Sequence, residues 1–161
     1  MEYLTEPAAC LNVRGFRTAW CKAGIKKSAD AKGDLGLIVC DRPSVCAAVF
    51  TRSRAQAAPV YISRERISSG GAVSAVLINS GNANACTGRQ GENNCLRLGN
   101  TTARLLNIDE RNVVFASTGV IGRQLPVEQM EDALPELAAQ LGNTSGFGLA
   151  ETIMTTDLVP K

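Results

Sequence analysis

Ala72-Val-Ser-Ala-Val-Leu-Ile-Asn79 is the strongest strand signal in the chain, and Asn79-Ser-Gly-Asn-Ala-Asn-Ala-Cys-Thr-Gly88 follows it directly. The first stretch is an apolar run bounded by the Ser69-Gly70-Gly71 break, as expected of a buried strand. The second is too polar and too rich in small residues to continue a core. From Asn93 to Asn107 the period changes: Cys95, Leu98, Thr102, Leu105 and Leu106 recur at spacings of three and four. That spacing predicts a helix with one buried stripe, with Arg97, Asn100 and Arg104 facing outward. Strand, small-residue loop and helix therefore stand in that order at the centre of the chain.

Reading outward, Asp34-Leu-Gly-Leu-Ile-Val-Cys-Asp41, between Gly33 and Pro43, predicts a second buried strand. Cys46-Ala-Ala-Val-Phe-Thr51 predicts a third, in a hairpin with it. Ala58-Pro-Val-Tyr-Ile-Ser63 predicts a fourth, placed at a sheet edge by Pro59. Asn112-Val-Val-Phe-Ala-Ser117 predicts a fifth. A helix is expected to begin at Pro126, with Glu128 and Glu131 near its positive end. Pro135 is expected to break it, with a fresh start over Glu136 to Leu141 and a stop at Gly142-Asn143. A last short helix is expected over Phe147 to Met154. Consecutive early strands with helices after them favour α+β, a layered α/β sandwich, over a doubly wound sheet. The expected organisation is a single domain over residues 1–161, a length sufficient for a real core.

Composition removes whole classes of chemistry. The chain has no histidine, so Ser-His-Asp and Cys-His catalysis and HExxH zinc sites cannot be built from it alone. Its net charge of +2 is too small to imply nucleic acid or a membrane surface as partner. The cysteines (Cys10, Cys21, Cys40, Cys46, Cys86 and Cys95) show neither a CxxC pair nor metal-ligand spacing, so no metal is expected. They read as free thiols of a reducing, cytoplasmic compartment, with Cys40 and Cys46 as small core residues. The acidic N-terminus has no apolar stretch of signal-peptide kind, and no run is long enough to span a membrane.

Three segments could carry chemistry. Asn79–Gly88 reads either as a hydrogen-bonded structural loop or as a phosphate cradle; GxxxxGK[ST] is absent and the loop has no lysine. Ser117-Thr-Gly-Val-Ile-Gly122 reads either as a turn or as a pair of donors, hydroxyl and glycine amide, aimed at a developing oxyanion. Without histidine a serine nucleophile would lack its commonest base, so electrostatic assistance suits this segment better than attack. Glu151-Thr-Ile-Met-Thr-Thr-Asp157, with Val159-Pro-Lys161 after it, could cap structure or bind a polar substrate.

Taken in order, GFRTAWCKAGIKK, DLGLIVCD, AAVFTRSRAQAAPV, INSGNANACTG, ASTGVIGRQLP and ETIMTTDLVPK resemble the N-terminal part of the glutamate N-acetyltransferase/ornithine acetyltransferase family. The likeness runs from about Arg14 to Lys161. It implies a layered architecture of N-terminal-nucleophile type (αββα) and self-cleavage into an α and a β chain. The new N-terminal threonine of β is the nucleophile. It takes acetyl from N-acetylornithine and delivers it to glutamate in arginine biosynthesis. Some members also accept acetyl-CoA; no other cofactor is implied. By the same resemblance Thr118 and Gly119 are the oxyanion pair and Thr155 is a substrate-binding position.

Asn79–Gly88 is expected to be a structural wall near the site. Family α chains continue beyond Val159-Pro-Lys161 to the cleavage site. The nucleophile and the β-chain ligands are thus expected outside this chain, which would be catalytically silent without its β partner in an α2β2 assembly. Trp20 and Cys21 stand where the family has small residues, a packing variation. Two further readings stay open: a paralogue with another acyl acceptor, and a non-catalytic fragment acting as a binding module.

Overall fold

The computed structural model describes residues 13–28, 31–144 and 146–157; Cys10 and Val159-Pro-Lys161 lie outside them. Strands β1 (Phe16–Cys21), β2 (Leu35–Ser44), β3 (Val73–Asn82) and β4 (Val113–Val120) form one mixed sheet in the order β1-β2-β3-β4. The first three are antiparallel neighbours, and β3 and β4 are parallel. Parallel neighbours need a crossover, which helix α2 (Gly88–Leu106) supplies. The fold is α+β, as expected, with a parallel pair at one side of the sheet.

Alternation along the strands sorts the two faces. Leu35, Leu37 and Val39, Ala75 and Leu77, and Val113 meet Leu98 and Ala103 of α2. The same core takes in Met130, Leu134 and Leu137 of α3 (Val127–Ala139). The opposite face carries α4 (Gly146–Thr152), where Gly36 leaves room for Leu149: a Cβ at Gly36 would lie 2.3 Å from its Cδ1. Trp20, the sole tryptophan, lies on that face too, seated where Gly148 has no side chain. Beyond α4 this face leaves Ile38 and Val76 half-buried and Ala116 exposed.

Several expectations fail, each for a physical reason. Ala58–Ser63 is not a strand but the start of α1 (Ala58–Ser68). Pro59 sits in the first turn, where its fixed φ suits a helix, and Ala58, Pro59, Ile62 and Ser63 bury one helical face. Residues 46–51 form no strand: β2 pairs with β3 instead, leaving Val45 and Val49 101% and 99% exposed. Arg64 holds that stretch through Thr51 O (2.8 Å), Gln56 Oε1 (2.8 Å) and the Phe50 ring. Pro43, expected to lie just outside the Asp34–Asp41 strand, lies in β2 where the register shifts between Val39 and Ser44.

Pro135 does not break α3. An internal proline costs about 3 kcal/mol; burial of Met130, Leu134 and Leu137, at about 1.5–3 kcal/mol each, outweighs it. Helix α2 begins five residues before the expected start, and Leu105 is 43% exposed, off the buried stripe. Edge strand β1 was not foreseen, because Phe16–Cys21 carries no clean alternation.

Cys40 and Cys46 are half-buried, not core residues; the core thiol is Cys95, packed with Ala58 and Ile62. Burial pushes the Cys95 thiol up to about 12 against the opposing pull of Arg66. Burial, with Asp34 and Glu136 adding, pushes Cys21 up to about 11. Since the thiolate is the nucleophile, exposed Cys86 is expected to take up maleimide first at neutral pH. Cys21 and Cys95 should be modified only on unfolding. A mass-spectrometric time course checks this, and Cys95 labelling as fast as Cys86 would contradict the packing.

Candidate active site

Strands β3 and β4 run further than their apolar residues require, through Ser80-Gly81-Asn82 and Thr118-Gly119-Val120, paired Ser80↔Thr118, Gly81↔Gly119 and Asn82↔Val120. The Ser-Thr-Gly segment is therefore strand, not turn. Gly81 and Gly119 both take positive φ, +96° and +130°. A Cβ on Gly119 would stand 2.4 Å from Gly81 C and 2.5 Å from Asn82 N, so only glycine admits this approach.

The backbone of β4 has one open side. Ala83 N donates to Val120 O at 2.9 Å toward β3, whereas Phe115 N donates to Ser63 Oγ (2.9 Å) on the far side. Ser63 Oγ returns a bond to Phe115 O (3.3 Å), and Arg66 Nη1 reaches Val113 O. Helix α1 thus covers the first half of the edge. By the same alternation Ser117 and Gly119 turn their backbone groups to the edge beyond α1. The Gly119 amide is a donor that the sheet does not use.

Thr118 borders two cavities. One, of about 330 Å³, lies between Ile78, Ala116 and the Ile153–Met154 segment just beyond α4. The other, of about 640 Å³, is lined by Thr118, Gly119, Thr155 and Thr156 together with Lys26, Lys27 and Arg123. The structure thus gathers all three residues named from the sequence, Thr118, Gly119 and Thr155, around one space. A larger open groove of about 980 Å³ crosses α2 and α3 elsewhere. Its Arg97 is engaged by Glu128 (3.1 Å) and Glu131 (3.1 Å from Nε), and none of the three site residues reaches it.

The Asn79–Gly88 segment is tied both internally and to its neighbours, as the structural reading expects. Asn82 Nδ2 donates to Gln124 O (2.9 Å), Asn84 Nδ2 to Gly91 O (3.0 Å) and Thr87 Oγ1 to Asn84 Oδ1 (2.8 Å). Asn84 and Cys86 hold left-handed backbone conformations there. Ser117 Oγ donates to Asn79 Oδ1 at 2.6 Å, which ties this wall to the base of the Thr118 segment.

Sequence reading missed the support behind the cavity. Fully buried Asp34 accepts the amides of Ala23 (2.6 Å), Ile25 (2.7 Å) and Lys26 (2.9 Å), folding that turn over the start of β2. Lys26 Nζ donates to Gly33 O (3.1 Å) and Thr152 O (2.9 Å), and Ser80 Oγ donates to the same Thr152 carbonyl. Burial holds the Lys26 ammonium below its ordinary value, with Asp34 opposing. The signal available was a Gly-Ile-Lys-Lys turn followed within ten residues by an aspartate opening a buried strand. Among the described residues no group of three His, Cys, Asp or Glu side chains could hold a metal ion, and no helix is long and apolar enough to cross a membrane.

These features define a class: an α+β protein in which a parallel strand pair brings a threonine and a glycine, whose amide the alternation turns away from the neighbouring strand, to the wall of a cavity. Residues 17–161 match the ArgJ family. The chain belongs to that family. It is 47% identical over 148 residues to the arginine biosynthesis bifunctional protein ArgJ of Nitratidesulfovibrio vulgaris, covering 92% of this chain and 37% of that protein. It is 44% identical to the glutamate N-acetyltransferase of Methanothermobacter thermautotrophicus, covering 92% of this chain and 35% of that protein. The chain therefore spans somewhat over a third of the length of these curated relatives. Two crystal structures share its fold, each with a TM-score of 0.83 and 91% of this chain covered. One is ArgJ of Bacillus halodurans (36% identity, 75% of that chain covered). The other is the ornithine acetyltransferase of Mycobacterium tuberculosis in complex with ornithine (34%, 78%).

Proposed function

We propose that this chain forms the oxyanion-binding half and part of the substrate pocket of an acetyltransferase that moves an acetyl group from N-acetylornithine to glutamate. The observation that carries the reading is the meeting of Thr118, Gly119 and Thr155 around one cavity, with the Gly119 amide left over by the sheet. The names and close sequence likeness of the relatives support the same class of chemistry.

In this reading a threonine of the β segment, outside these 161 residues, attacks the acetyl carbonyl with its own α-amine as base. The carbonyl oxygen becomes an oxyanion, which the Thr118 hydroxyl and Gly119 amide receive. The C–N bond to ornithine then breaks, the proton leaves with the amine, and an acetyl-threonine remains. Glutamate's amine attacks that ester and restores the threonine, a ping-pong sequence that needs no histidine and no metal. Thr155 contacts the substrate on the facing wall. Acetyl-CoA is an alternative donor for the first step. The sheet face beyond α4, with Ile38 and Val76 half-buried and Ala116 exposed, is where a second layer from the β segment completes the αββα sandwich. The working assembly is an α2β2 enzyme of the cytoplasm.

An oxyanion donor contributes on the order of 3 kcal/mol in the transition state. Thr118→Ala in the complete enzyme is therefore expected to lower kcat for acetyl transfer by roughly 10²-fold, with little change in the thermal melt. Steady-state kinetics with N-acetylornithine and glutamate measure it; unchanged turnover overturns the oxyanion assignment.

A further inference from the structure

Lys26 belongs to neither the oxyanion pair nor the threonine segment, yet it touches the support of both. Its amide is held by Asp34, so the residue cannot drift along the turn. Its side chain then runs over Gly81: a Cβ at Gly81 would stand 2.9 Å from Lys26 Cγ and 3.2 Å from Lys26 N. Gly81 is the residue against which Gly119 is packed. At its far end the ammonium bridges Gly33 O and Thr152 O, 126 positions away in sequence in the second case. Thr152 is the last residue of α4, and Thr155 follows three positions later. One side chain therefore spans from the backbone packed against Gly119 to the root of the Thr155 segment.

We propose that Lys26 is a positioning residue for acetyl transfer, setting the distance across the cavity between the Gly119 amide and Thr155. The proposal rests on the acetyl-transfer reading above. An ammonium suits the task because it donates to several carbonyls at once and makes charge-assisted bonds, stronger than neutral ones. Placed against the closing carbonyl of α4, it also meets the negative end of that turn. Ser80 Oγ reaches the same carbonyl from β3, so Thr152 O is pinned from the sheet and from the Lys26 turn together.

The test pairs kinetics with amide hydrogen exchange in the full-length enzyme carrying Lys26→Met or Lys26→Arg. Lys26→Met is expected to speed exchange at residues 153–157 and to lower kcat roughly 10- to 100-fold, the penalty of a misplacement near 1 Å. Exchange in the middle of β3 and β4 stays at its wild-type rate. Lys26→Arg, which keeps a cation with several donors, recovers most of both effects. A lower melting temperature with kcat and exchange at 153–157 unchanged makes Lys26 a stabilising residue only and overturns the proposal. Should Lys26→Met fail to fold, Ser80→Ala removes the other donor to Thr152 O and is read the same way: faster exchange at 153–157 with lower kcat supports the clamp, neither overturns it. The two readings fail separately. Absence of acetyl transfer in the wild-type enzyme overturns the acetyl-transfer reading, and intact turnover in Thr118→Ala overturns the oxyanion assignment, whatever Lys26 does; a slow Thr118→Ala beside a wild-type Lys26→Met overturns the clamp alone.

Discussion

Gly119→Ala is expected to loosen β3 from β4, to shift the denaturant midpoint strongly downward and to suppress the acetyl transfer proposed above. Its added methyl would stand 2.4 to 2.8 Å from three backbone atoms of Gly81 and Asn82, none of which can rotate away as a side-chain tip would. The φ of +130° adds strain of its own, because a β-carbon is disfavoured there even in open space. Overpacking and strained backbone each cost about 1–3 kcal/mol, so the sum is roughly 2–6 kcal/mol. That is a large part of a typical domain stability of about 5–15 kcal/mol. Gly122→Ala separates the two causes. Gly122 also has positive φ, +78°, but nothing lies within 4 Å of a Cβ there, so only the backbone term of about 1–2 kcal/mol should appear. Denaturant melts of the two variants measure the difference. Equal destabilisation would mean that the close approach of the two glycines is not what holds β3 and β4 together.

Asp34→Ala carries the second large effect. The carboxylate is fully buried and accepts three main-chain amides, those of Ala23, Ile25 and Lys26. Alanine leaves all three without an acceptor. Each stranded buried donor costs about 1–3 kcal/mol. Those of Ala23 and Lys26 are only part-buried and recover some water, so about 3–5 kcal/mol is expected in a urea melt. Asp34→Asn keeps one acceptor oxygen and should lose less. The turn that carries Lys26 would loosen first, so exchange at residues 23–27 should rise before the β2–β3 pairing is affected. A variant that melts with the wild type would show that the turn does not depend on Asp34.

Much of the fold was legible where local pattern and tertiary environment agree. The apolar run before Asn79 is a central strand, the three-and-four spacing of Cys95, Leu98 and Thr102 is the buried stripe of α2, and Gly142 does stand past the end of α3. Misreadings cluster where a second element overrides the pattern. Val60 and Ile62 look like strand residues, but Pro59 starts a helix whose Ser63 and Arg66 cover the edge of β4. Pro135 looks like a stop, but three buried side chains on one face hold the helix through it. Val49 looks like a strand residue, yet among the described residues no neighbour takes up its backbone. The candidate site was half legible. Thr118, Gly119 and Thr155 could be named from motifs, whereas Lys26 and Asp34 could not, because a clamp between residues 26 and 152 leaves no periodic trace.

By itself the sequence determined the strand–loop–helix unit from β3 into α2, the motifs that mark the family, and the exclusion of histidine chemistry. These are settled by short-range properties: apolar spacing, small residues at a turn, and which side chains the chain contains. Only the tertiary structure decided where β3 and β4 end and what faces Thr155. Ser80-Gly81-Asn82 and Thr118-Gly119-Val120 have no strand pattern of their own. They are strand because each takes up the other's backbone groups and neither glycine places a methyl between them, a condition that exists only once both are in place.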